Sequence, residues 1–105
     1  MPNRLAGFNG YHLRMISVRK LDDETFEVSV AAAGATTTHR VTLRAADRER
    51  LAGNAADPER LVEESFRFLL AREPNTSILS RFDLPVIGHY FPEYESEIRR
   101  RFGAR

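Results

Sequence analysis

The hydrophobic pattern of this chain changes period once, and that change limits the fold more than any motif does. Before residue 45 the apolar side chains recur at every second position, the spacing that collects them on one face of a strand. After residue 57 they recur every three to four positions, the spacing of a helix stripe. A chain patterned in this way folds as α+β, with a sheet and a helical layer hiding each other's apolar sides from water.

Three runs carry the first period. Ile16 and Val18 oppose Ser17 and Arg19 in residues 15–21, and Phe26, Val28 and Val30 oppose Glu27 and Ser29 in residues 25–33. His39, Val41 and Leu43 oppose Thr38, Arg40, Thr42 and Arg44 in residues 37–44. Asp22-Asp23-Glu24 and Gly34-Ala35 separate the runs at hairpin lengths, which predicts a three-stranded antiparallel meander with one apolar and one polar face. The leader, residues 1–14, holds Pro2, Gly7, Gly10 and an Asn9-Gly10 turn pair and has neither period, so the domain proper is expected to span 15–105.

The second period opens with a short helix over 46–51, stopped by Gly53-Asn54. A long helix then starts at Asp57-Pro58-Glu59, where an aspartate can accept from free backbone N–H groups and a proline at the first position wastes no donor. It runs to about residue 72, before Pro74. Leu61, Val62, Ser65, Phe66, Phe68, Leu69 and Leu70 cover roughly 200° of its circumference, too wide a stripe for one sheet face to bury. The C-terminal segment is therefore expected to cover the remainder. That segment is read as short helices on the same sheet face: 78–82 capped by Asn75-Thr76-Ser77, a turn from Asp83 to Tyr90, and a last helix opened by Pro92 and running to about Phe102.

The stretch from Phe68 to Leu79 (FLLAREPNTSIL), followed by FDLPVI at 82–87 and YFPEY at 90–94, resembles small prokaryotic proteins of unknown function. The likeness covers about residues 15–95. It implies no activity, cofactor or site residue.

Chemistry-bearing patterns are sparse. The absence of cysteine excludes disulfides, thiolate catalysis and the usual structural zinc sites, and points to a reducing compartment. The opening residues lack the apolar core of a signal peptide, and no run approaches the roughly 18 apolar residues of a membrane span, so a cytoplasmic location is expected. His12, His39 and His89 are far apart, the serines sit in no nucleophile elbow, and no phosphate-cradling glycine motif occurs. An enzyme would need His39, Asp83 and His89 to converge from separate elements. The simpler reading makes His39 a partly buried histidine at a strand end and Asp83 a helix cap. No cofactor or metal is expected.

Two surfaces remain as candidates. Tyr90, Phe91, Tyr94 and Phe102 exceed what one small core is expected to bury, which suggests a non-catalytic module that binds a protein partner or a second copy of itself. Nucleic-acid binding is the alternative. With sixteen basic against fifteen acidic residues there is no global field to attract polyanions, so it would rest on Arg99, Arg100 and Arg101 or on Arg40 and Arg44 with Thr38 and Thr42 on the polar sheet face. Glu93, Glu95 and Glu97 at the start of the last helix favour a plain charged helix over a nucleic-acid contact. A helix-turn-helix over 78–90 is disfavoured because its second helix would be mostly apolar.

Overall fold

The computed structural model describes residues 14–53 and 56–103; the expected leader, apart from Arg14, lies outside the described residues. β1 (Met15–Lys20), β2 (Thr25–Ala32) and β3 (Ala35–Thr42) pair antiparallel in sequence order, as the alternation predicts. Their inward side chains form one wall of the core. Phe26, Val28, Val30 and Val41 are fully buried, while Ile16 and Val18 on the edge strand are half-buried.

The β2–β3 hairpin closes on Ala32 opposite Ala35, so its turn residues are Ala33 and Gly34, one position earlier than the spacing suggests. Both have positive φ, 52° and 82°, the geometry that matches a two-residue hairpin to the twist of its strands. Alanine is strained there because its Cβ crowds the following carbonyl by about 1–2 kcal/mol. Ala33→Asn is therefore expected to stabilise the protein by about 0.5–1 kcal/mol, measured by chemical denaturation. A loss of stability would mean that the turn differs from this one.

The sheet departs from the expected three-stranded meander. A fourth strand, β4 (Arg81–Asp83), runs parallel to β3 with Arg40 beside Arg81, Val41 beside Phe82 and Thr42 beside Asp83, giving a mixed sheet in the order β1-β2-β3-β4. The helix expected over 78–82 does not form. Asn75–Ser77 makes a single 3-10 turn, and Ile78 after it is extended at φ −78° and ψ 138°. The extended path satisfies an edge donor of β3, since the Arg40 amide donates to the Ser80 carbonyl at 2.8 Å. It also delivers Phe82 into the core against Phe66, with ring centroids 6.1 Å apart.

The helical layer comprises α1 (Ala45–Ala52), α2 (Pro58–Leu70), α3 (Ile87–Tyr90) and α4 (Tyr94–Arg101). Asp57 caps α2 by accepting from the Glu59 amide at 3.1 Å, and the helix stops at Leu70, slightly before the expected end. Its wide stripe is buried on two sides. Phe66 faces the sheet, 5.3 Å from the His39 ring, whereas Phe68 meets Phe91 and Tyr94 edge-on at 5.9 and 5.2 Å. The Tyr94 hydroxyl donates to the Ser65 oxygen at 2.7 Å, and that serine donates in turn to the Leu61 carbonyl. Burial pushes the Tyr94 phenol up, so it stays a hydrogen-bond donor. Asp83 precedes a second 3-10 turn, Leu84–Val86, but its side chain makes no cap hydrogen bond; it accepts from Arg44 at 2.9 Å instead. Among the described residues no helix is long and apolar enough to cross a membrane.

Candidate functional site

The outermost feature of the fold is built on a buried polar anchor. Asn75 is 2% exposed and its amide nitrogen lies 3.2 Å from the Val30 carbonyl, 3.1 Å from the Ala35 carbonyl and 3.1 Å from the Thr37 hydroxyl. His39, equally buried, contacts the Leu79 carbonyl through Nδ1 at 2.8 Å and the Thr37 hydroxyl through Nε2 at 2.8 Å. A carbonyl only accepts, so this network assigns the proton of the neutral ring to Nδ1. Nε2 then accepts from Thr37, leaving the threonine oxygen free to accept from Asn75. Residues 75–79 are thereby tied to β2 and β3 by side chains, with Ile78 turned into the core and Leu79 outward.

An apolar cleft of about 290 Å³ opens beside this anchor. Leu69 from the end of α2, Ile78, Phe82 and Ile87 form its floor, all of them buried. Leu79 and Tyr90 stand on its rim, 47% and 66% exposed. At the small end of the roughly 300–1,000 Å³ of ligand pockets, this cleft has room for one or two side chains or a compact apolar ligand. Glu73 lines the wall. Burial raises its carboxyl above the usual range, and no ion-pair partner faces it among the described residues. The neighbouring Arg72 is taken: it pairs with Glu93 at 3.0 Å and lies over the Phe68 ring at 3.6 Å.

Of the aromatic residues singled out in the sequence, only Tyr90 is exposed. Phe91 is half-buried and lines the cleft, Phe102 is half-buried against the core, and Tyr94 is 1% exposed and belongs to the core. Leu79, Glu73 and Val86, which complete the cleft, were not legible as site residues. Ser77-Ile78-Leu79 reads as a helix start, and only an extended path turns Ile78 inward and Leu79 outward.

The arginines divide in the same way. Arg44 is paired with Asp83 at 2.9 Å, Arg100 with Glu97 at 3.5 Å, and Arg101 with Glu97 at 3.1 Å and Glu64 at 3.4 Å. Arg99 donates to the Arg50 carbonyl. Arg40 points outward from β3 beside Arg81. His39, Asp83 and His89 are not joined: both His39 nitrogens are occupied in the core, Asp83 is held by Arg44, and His89 is exposed on α3. No group of three potential metal-ligating side chains occurs among the described residues. The helix-turn-helix comparison lapses with the helix over 78–82.

No family model, curated protein or solved structure matches the chain.

Proposed function

We propose that this chain is a non-catalytic protein-interaction module of the cytoplasm that pairs with a second copy of itself through the apolar cleft. The observation that carries this reading is the pairing of a hole with knobs on one face. The cleft is sized for a side chain, and Leu79 and Tyr90 stand exposed at its edge. A face that holds both parts is self-complementary about a two-fold axis, because each copy offers the other what it lacks. Glu73 fits the same reading. A carboxylate partly buried on an apolar wall without an ion-pair partner among the described residues is a group that a docked copy can supply with a hydrogen-bond donor.

A contact built on one cleft and two exposed side chains falls short of the roughly 1,200–2,000 Å² of a stable interface, so the dimer is weak and depends on concentration. Sedimentation equilibrium on the full chain tests it. The expected result is a monomer–dimer equilibrium that Tyr90→Ser and Leu79→Asp each shift to monomer while the melting temperature stays within a few degrees. A monodisperse monomer at millimolar concentration would overturn the reading.

A nucleic-acid role draws less support. Four of its five candidate arginines are engaged within the fold, and Arg40 alone stands without such a partner.

A further inference from the structure

The solvent face of the sheet carries a charge arrangement that neither the core nor the cleft explains. Arg19, Glu27, Arg40 and Arg81 lie in register, one on each strand, forming a straight row across the sheet. Their inward neighbours Phe26, Val41 and Phe82 are buried, so the row points to water. Arg19 holds the single carboxylate of the row at 2.6 Å. Arg40, attracted by Glu27 across the strand pair but outside ion-pair distance of it, and Arg81 lie side by side on adjacent strands whose backbones are about 4.8 Å apart, with no carboxylate in ion-pair distance of either among the described residues. Like charges directly opposite each other destabilise a sheet, and an anion between them removes the repulsion.

The two arginines border a depression of about 240 Å³ that Thr38, Ser80 and Glu27 also line. Guanidinium groups present parallel N–H donors that match a phosphate or carboxylate edge, and the two hydroxyls add donors for remaining oxygens. Size and charge both favour one compact anion. Glu27 repels a second negative group, and no aromatic side chain lies on this face among the described residues to stack bases of a single strand. We propose that Arg40 and Arg81, with Thr38 and Ser80, form a binding site for one phosphate group.

The phosphate can belong to a small molecule or to a nucleic-acid backbone, and titration of the ¹⁵N-labelled full chain at low salt separates them. The probes are inorganic phosphate, adenosine 5′-monophosphate and a short DNA duplex, read at the arginine Nε–Hε resonances. Saturable shifts at Arg40 and Arg81 with the first two probes are expected. Arg40→Gln and Arg81→Gln should each weaken binding about tenfold, the equivalent of one charge-assisted hydrogen-bonding partner. Glu27→Gln should tighten it, whereas Tyr90→Ser should leave it unchanged, which keeps this site separable from the cleft. Duplex binding through the same two arginines, without binding of the mononucleotide, would support the site and assign it to the nucleic-acid backbone. No saturable shift with any of the three probes, or shifts indifferent to both arginine substitutions, would overturn the proposal.

Discussion

Phe68→Ala should cost about 3–5 kcal/mol of stability and lower the melting temperature by about 15 °C or more. The side chain is fully buried and joins the two halves of the helical layer: Phe91 and Tyr94 meet its ring edge-on and the Arg72 guanidinium covers its face. Truncation removes the apolar area, leaves a cavity and dissolves the aromatic contacts together. Phe68→Leu keeps most of the volume and should cost only about 1–2 kcal/mol. Urea denaturation of both variants checks the order. A loss below 1 kcal/mol for the alanine variant would mean that the C-terminal segment does not pack on α2 as described.

Asn75→Ala should destabilise by about 2–4 kcal/mol although it removes only a small polar side chain. Its amide serves two backbone carbonyls and the Thr37 hydroxyl, and the Val30 carbonyl, the buried one of the three contacts, loses its side-chain donor where water does not replace it. Asn75→Asp should be at least as damaging, because a carboxylate has no N–H to offer the Val30 and Ala35 carbonyls. The variants also separate stability from assembly. Asn75 anchors the segment that carries Leu79, so the cleft is expected to open in Asn75→Ala at temperatures where most of the sheet persists, visible as faster amide exchange over residues 75–82 than over β2. Uniform exchange rates, or a loss under 0.5 kcal/mol, would contradict the anchoring role.

How far the sequence announced this architecture depends on the length of each signal. The alternation around Phe26, Val28 and Val30 and the stripe through Leu61, Phe66 and Leu69 each extend over several repeats, and the structure follows both. The breadth of the α2 stripe also foretold a second covering element, which the packing of Phe91 and Tyr94 supplies. β4 gave no such warning. Three residues are too few to display a period, and a strand that exists by pairing with β3, far away in sequence, has no local signature. Asn75-Thr76-Ser77 carries good capping residues, yet Asn75 turns its amide inward to the sheet, where tertiary hydrogen bonds outweigh the local preference.

The candidate sites were legible in part, at Tyr90 and Phe91 for the cleft and at Arg40 and Thr38 for the sheet face. Tyr90 and Arg40 are the exposed members of their groups without an ion pair or core contact among the described residues; Phe91 is half-buried along the cleft, and the others are taken up by core packing, by carboxylates or, for Arg99, by the Arg50 carbonyl. Leu79 and Arg81 escaped notice for one reason. Both owe their positions to the extended path from Ile78 to Asp83, and a helix over those residues would have placed neither.

An isotope-filtered NOE experiment on an equimolar mixture of ¹³C-labelled and unlabelled chain asks most directly whether two copies fill each other's clefts. Self-docking predicts intermolecular cross-peaks linking the Tyr90 ring of one chain to the Leu79 and Val86 methyl groups of the other, lost in Tyr90→Ser. A sample concentrated to the millimolar range that shows no cross-peak between chains at these residues would contradict it.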